Sequence, residues 1–381
     1  MSYVGKFPWA NLYSNMLDSR RSFLRTSMGL GAAMLQAADN GPTGKELAAM
    51  DGVVAGFTQA HEVPGMSLAV ARDGILVHQR AYGLADRDKG EKVTPAHLFR
   101  IASASKPITS VTVFQLIEQG KLRLEDAVFG PGGILGTDFG RPPYKPHVAE
   151  IRLKHLLTHT AGGWQNDGSD PMFRHTAMNH QKLIAWAIAD VPLSNPPGAH
   201  YAYSNFGYCV VGRIIEKVTG QTYEQHVRAA VLKRCGAGDM RISGNTLAER
   251  ARGEVVYYGS GGENPYNMNL RRMDSHGGWL ATAADLVRFA THLNSLRPQS
   301  IAEMTTGTAA NPQYACGWAV NRVPNWWHTG SLPGTTSIMV HTASGFCWSA
   351  LLNTREAQVD TGGALDRMMW EMVRKVKSWA A

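Results

Sequence analysis

Three short segments carry residues that could act together. The first is Phe99-Arg100-Ile101-Ala102-Ser103-Ala104-Ser105-Lys106-Pro107. Ser103 and Lys106 stand three apart where a helix is predicted to start. Positions i and i+3 share a helix face, so the amine comes within reach of the hydroxyl. A serine is a poor nucleophile at neutral pH and needs a base beside it. A lysine can be that base when its neighbours lower its pKa. The helix dipole and free backbone N–H groups favour a nucleophile at this end. Ser-x-x-Lys is common by chance, so an exposed serine and a surface lysine compete with this reading.

The second segment is Tyr201-Ala202-Tyr203-Ser204-Asn205, just before a helix. Tyr203 could relay a proton, and the Asn205 amide could orient the lysine and a substrate carbonyl. A buried aromatic followed by an N-cap, Ser204 or Asn205, is the simpler reading of these residues alone. The third segment is His328-Thr329-Gly330-Ser331, after Trp326-Trp327 and before an apolar strand. It reads as an edge strand along a cleft. Gly330 would let a substrate lie close to the backbone. The N–H groups of Ser331 and Ser103 could form an oxyanion hole.

Other constellations are weaker. His155 and His159 are four apart on a predicted helix and could bind a metal, but no Glu follows His155 and no third ligand is evident. A structural or capping role is the better reading. Gly65-Met66-Ser67-Leu68-Ala69 lacks the last glycine of a nucleophile elbow and opens a strand, so Ser67 reads as structural. Cys209 reads as a small buried hydrophobe, with Cys235, Cys316 and Cys347 similar; spacing leaves pairing open. Trp164, Trp279, Trp326 and Trp327 either line a cleft or pack in a core.

The elements that must position these residues follow from pattern. Apolar spacing predicts a helix over 45–61. Residues 66–71 and a return strand from Ile75 flank the turn signal Asp73-Gly74. Helices are predicted over 108–119, closed by Gly120, and over 206–219, 223–235 and 282–296, the last with Thr282 as N-cap and Asp285 completing a capping box. Strands return over 317–320, 337–341 and 346–352, and a helix over 360–379 ends the chain. Residues 121–200 are loop-rich. Sheet segments at both ends with helices between them predict an α+β fold. Residues 39–105 and 300–381 would form a sheet domain, with a mainly helical insertion over 106–299.

Composition narrows the classes. With 381 residues, 44% hydrophobic and 18% charged, the chain is a globular protein and not a disordered one. No apolar run reaches membrane-spanning length, so no stable membrane insertion is expected. The net charge of +8 invites a nucleic-acid partner, but Lys and Arg occur at most in pairs such as Arg20-Arg21 and Arg271-Arg272. Residues 19–25, Ser-Arg-Arg-Ser-Phe-Leu-Arg, read as a twin-arginine export signal, followed by a Gly- and Ala-rich stretch to Ala38. Lys6, Arg20, Arg21 and Arg25 against Asp18 account for +3 of the charge. A surface amphipathic helix is the alternative. With the signal, the protein would be periplasmic or secreted; without it, cytoplasmic.

The order Ser-x-x-Lys, Tyr-x-Asn, His-Thr-Gly resembles the serine β-lactamase and penicillin-binding-protein superfamily. The class C β-lactamase branch, with its D-alanyl-D-alanine carboxypeptidases, D-aminopeptidases and family VIII carboxylesterases, looks most similar. The likeness spans about 45–379 and includes Leu156-Leu157-Thr158-His159-Thr160-Ala161-Gly162 and Gly277-Gly278-Trp279-Leu280. It implies a β-lactamase/transpeptidase-like fold: an antiparallel sheet flanked by helices. It implies Ser103 as acylated nucleophile, Lys106 as proton acceptor or electrostatic support, Tyr203 as general base and Asn205 as the holder of a substrate amide or ester side chain. His328 departs from the Lys usual in β-lactamases and removes a permanent charge for a substrate carboxylate. Thr329, Gly330 and Ser331 would bind substrate, and Arg355 would supply a carboxylate contact. The expected reaction is two-step hydrolysis of a small ester, amide or peptide, with no metal or organic cofactor and no nucleic-acid partner. Ester or D-amino-acid peptide cleavage comes ahead of β-lactam hydrolysis. A non-catalytic or slowly acylating penicillin or peptidoglycan binder is the alternative.

Overall fold

Asp73-Gly74 turns the chain between β1 (Gly65–Arg72) and β2 (Ile75–Asp86), with φ of 49° and 88° at its two residues. Positive φ at both positions is what a type I′ hairpin requires. This hairpin belongs to a computed structural model that describes residues 42–356 and 359–379. The candidate export signal lies outside the described residues. β3 (Glu91–Lys92) extends the hairpin edge. A separate small sheet holds β4 (Phe99–Arg100), β5 (Arg241–Ile242) and β6 (Trp279–Ala281) in the order β4-β6-β5. The C-terminal part adds β7 (Ala319–Val320), β8 (Trp326–Leu332), β9 (Thr335–His341) and β10 (Phe346–Leu352). The main sheet runs β3-β2-β1-β10-β9-β8-β7, antiparallel throughout. β1 and β10 therefore join the two ends of the chain at its centre.

Alternation along the central strands feeds two cores. Met66, Leu68 and Val70 of β1, with Trp348, Ala350 and Leu352 of β10, pack on α1 (Gly44–Ala60) and on the terminal helix, Thr361–Val373. Ala69, Ala71, Cys347 and Leu351 face the opposite core. Between β4 and β6 the chain is mainly helical: α2 (Lys106–Glu118), α3 (Leu153–Leu157), α4 (Pro171–Arg174), α5 (His180–Asp190), α6 (Asn205–Thr219), α7 (Tyr223–Val227) and α8 (Asp274–Gly277). A π turn over Arg228–Leu232 continues α7. Then comes α9 (Ala283–Thr291), opened by the Thr282–Asp285 capping box. It lies inside the 106–299 stretch assigned to the insertion, yet it packs on β10 and β1. Its buried Ala283, Leu286, Val287 and Ala290 belong to that second core, and Ser349 Oγ donates to the Ala283 carbonyl at 2.6 Å.

The turn bearing Ser103 is tied to the sheet by side chains far away in sequence. Thr335 Oγ1 donates to Arg100 O at 2.8 Å, and Ser337 Oγ donates to Ile101 O at 2.6 Å. The Ile101 N–H donates to Trp279 O at 3.0 Å. Gly330 makes this approach possible. A Cβ there would stand 2.1 Å from Ile101 O and 2.3 Å from Ser337 Oγ. The expectation that Gly330 makes room for substrate is thus corrected: protein fills that space. Gly330→Ala is expected to lower stability by about 1–3 kcal/mol through overpacking and to displace the nucleophile turn. Thermal unfolding and ester turnover measure both effects. Gly52→Ala, on α1 with nothing within 4 Å of its Cβ, is expected to spare activity.

Candidate active site

β4 ends at Arg100, and the chain enters a 3-10 turn, Ala102–Ser105, that runs into α2. Ala102 has φ 47°, a left-handed conformation unusual for alanine, directly before Ser103. Side chains three apart eclipse in a 3-10 turn. Ser103 consequently sits part-exposed on the floor of a cleft of about 280 Å³, with Lys106 fully buried beneath it.

Lys106 Nζ lies 3.1 Å from Ser103 Oγ, 2.8 Å from Asn205 Oδ1 and 3.1 Å from His276 O. Burial lowers its pKa to about 7, with the Asp170 charge working against the fall. A neutral amine has two N–H donors and one lone pair. Asn205 Oδ1 and His276 O can only accept, so they take both donors. The lone pair is left facing the Ser103 hydroxyl, which is the arrangement a base needs.

Ser204 caps α6, accepting from Gly207 N at 3.0 Å, so Asn205 is the first helical residue and its side chain is free for other work. That work is internal. Asn205 Nδ2 donates to Asn166 Oδ1 at 2.8 Å and to Asp170 Oδ2 at 3.4 Å, while Oδ1 serves Lys106. The expectation that Asn205 grips the substrate is corrected, because the residue is buried away from the cleft with both Nδ2 donors engaged within the protein. Asn166 lines the cleft with its Oδ1 already engaged, which leaves its NH2 for a ligand. Asp170 is buried, accepts from Met172 N at 3.0 Å and Asn205 N at 2.9 Å, and is raised by burial to about 6. Sequence reasoning missed both residues. Asp170-Pro171 carries the signature of a helix start, but nothing in it foretells a carboxylate near Lys106.

Tyr203 hydrogen-bonds Ser103, and burial pushes its phenol well above the ordinary value. Its ring centroid is 4.7 Å from Lys106 Nζ. Across the cleft stand Trp327, His328, Thr329 and Ser331 of β8. Burial lowers His328 to about 3, so the imidazole is neutral. Arg355 is not a free carboxylate anchor. Its Nε donates to Glu263 Oε2 at 2.9 Å and its Nη2 to Glu263 Oε1, with Nη1 3.3 Å from Ser331 Oγ. The bidentate pair spends its charge.

The histidine pair 155/159 does not share a helix face. α3 stops at Leu157, and His159 has φ 57°. His155 Nδ1 caps the start of α3 by accepting from Arg152 N at 3.1 Å. Among the described residues no three His, Cys, Asp or Glu side chains cluster closely enough to hold a metal. The four cysteines are free thiols. Trp279 and Trp164 are core residues, Trp326 stacks on His341 at 4.4 Å, and Trp327 reaches the cleft. Ser67 is buried in β1.

An antiparallel sheet flanked by helices, with a serine and a buried lysine one turn apart at its edge, defines a serine hydrolase of the β-lactamase and penicillin-binding-protein fold. The beta-lactamase family model matches residues 50–368, and the chain belongs to that family. Penicillin-binding protein 4 of Amycolatopsis lactamdurans is 30% identical over 332 residues, which span 77% of this chain and 81% of that one. Esterase EstB of Burkholderia gladioli is 30% identical over 226 residues, 55% of this chain and 54% of its own. The solved D-amino acid amidase of Ochrobactrum anthropi SV3 shares the fold, with a TM-score of 0.71 at 21% identity over 87% of this chain and 98% of that one.

The acid limb of kcat/KM for an uncharged ester is expected near pH 7. Activity rises as Lys106 loses its proton and is lost as pH falls through that value. Asp170→Asn removes a charge that raises Lys106, so the limb should move to lower pH. A pH–rate profile that keeps its limb in this variant contradicts the coupling.

Proposed function

We propose that this chain hydrolyses uncharged carboxylic esters, and amides of similar acyl groups, through an acyl-Ser103 intermediate. The observation that carries the reading is the Lys106 amine, buried and 3.1 Å from Ser103 Oγ with both N–H groups committed elsewhere. Lys106 Nζ takes the hydroxyl proton as Ser103 Oγ attacks the carbonyl carbon. Tyr203, held protonated by burial, suits a relay better than the general base expected from the resemblance. It hands its proton to the departing oxygen or nitrogen and is reprotonated by Lys106. The backbone N–H groups of Ser103 and Ser331 take the oxyanion in this reading. Water then enters by the same steps in reverse and frees Ser103.

The ester preference is supported by the cleft's charges. His328 is neutral and Arg355 is paired with Glu263, so among the described residues that line the cleft a β-lactam carboxylate meets no fixed cation. The similarity to esterase EstB points the same way. D-Amino-acid amides are the second substrate class of this reading. Export by the twin-arginine route is supported by the Ser19–Arg25 motif, and cell fractionation tests it.

Intact mass spectrometry with a fluorophosphonate should show one adduct on the wild type and none on Ser103→Ala. Turnover of p-nitrophenyl butyrate should exceed that of nitrocefin on the order of 100-fold, as a carboxylate buried without a partner implies. Stable penicillin acylation without ester turnover would instead establish a binding protein.

A further inference from the structure

A chain of hydrogen bonds enters the cleft wall from behind and ends on His328. The Ser204 N–H lies 3.1 Å from His159 Nδ1. A backbone N–H can only donate, so Nδ1 holds a lone pair and the His159 proton sits on Nε2. That nitrogen is 3.1 Å from Tyr314 Oη, and it donates to the phenol oxygen. At the other end, His328 Nδ1 is 2.6 Å from Thr329 O, which can only accept. His328 therefore carries its proton on Nδ1. In the neutral ring Nε2 holds a lone pair, 3.0 Å from Tyr314 Oη, and Tyr314 donates to it. The two backbone groups at the ends, with a neutral His328, thus set the direction of each bond between them. Tyr208 Oη also neighbours Tyr314; its own proton goes to Leu157 O at 2.8 Å, so towards Tyr314 it can only accept, as His328 Nε2 does.

The rings are packed as well as bonded. His159 and Tyr314 have centroids 4.9 Å apart, Tyr314 and His328 5.9 Å, and all three side chains are buried. Neither hydrogen-bond partner of His328 is a carboxylate. The charged group facing it is Lys106, which disfavours an imidazolium. The Tyr203 ring lies 6.3 Å away.

We propose that Tyr314 is a specificity-determining residue. With His159 it locks His328 as a neutral Nδ1–H imidazole, so the wall of the cleft above Ser103 offers no cation and no ring N–H to a substrate carboxylate. Esters and amides with uncharged leaving groups are then favoured by the protein's own wiring and not by a missing side chain. The inference rests on the ester- and amide-cleaving reading for its substrate class, while the relay itself rests on the hydrogen-bond geometry and on the burial that keeps His328 neutral.

The test has two readouts on the full chain. Histidine 15N NMR at pH 7, assigned with His328→Asn and His159→Asn, is expected to show His328 as the neutral Nδ1–H tautomer and His159 as the neutral Nε2–H tautomer. His328 protonated, or carrying Nε2–H, overturns the relay, and that state is read on the wild-type protein. The second readout compares phenol release from an aryl butyrate and from its para-carboxylate analogue. In Tyr314→Phe the ratio of kcat/KM, charged over uncharged, should rise on the order of fivefold, because the freed Nε2 can bind a proton and face the carboxylate. Expected tautomers with an unchanged ratio overturn the specificity role. Failure of the wild type to cleave either ester overturns the hydrolase reading, and the tautomers then judge the relay independently.

Discussion

The buried amine of Lys106 is the constraint from which the rest of the site follows. Removing an ammonium from water costs several kcal/mol, so the site holds it near neutrality and satisfies each of its positions. Three elements must meet to do this: the Ser103 turn, the start of α6 with Asn205, and α8 with the His276 carbonyl. The packing of α8 against α6 is correspondingly tight. Arg213 and Asp274 form a buried pair at 2.6 Å, and Ser275 Oγ donates to Tyr208 O at 2.9 Å. A Cβ on Gly212 would lie 2.5 Å from Ser275 Oγ, so only glycine admits this contact. Thr109 Oγ1 donates to Ser275 O at 2.6 Å and ties α2 to the same helix.

Charge control extends across the cleft. Lys106 stands near its own titration point, His328 is neutral, and Arg355 is paired off. The chain carries a net +8, yet little of that charge is available in the cleft. Catalytic power here would come from proton transfer between neutral groups and from backbone dipoles, and selectivity from the absence of a counter-charge.

Much of the scaffold was legible because strong local signals agreed. The Asp73-Gly74 hairpin, the Thr282 capping box and the alternation along β1 and β10 each dictate one structure. Ser103, Lys106, Tyr203 and His328, drawn from three distant segments, do converge on one cleft. The small sheet β4-β6-β5 was invisible, since strands of two or three residues have no period. Asn166 and Asp170 were missed because their roles arise from tertiary placement. Gly330 was noticed for the wrong reason. A sequence shows that a backbone must come close to something, but not whether that neighbour is ligand or protein. Tyr314 carried no motif, and its hydrogen-bond directions emerge only from its two histidine partners.

The protonation of Lys106 governs the activation of Ser103 and can be observed directly. A 13Cε-lysine NMR titration, with Lys106 assigned by its loss in Lys106→Met, should show the Lys106 resonance titrating near pH 7. A Lys106 resonance that keeps the ammonium shift up to pH 9 would contradict its role as the base that activates Ser103.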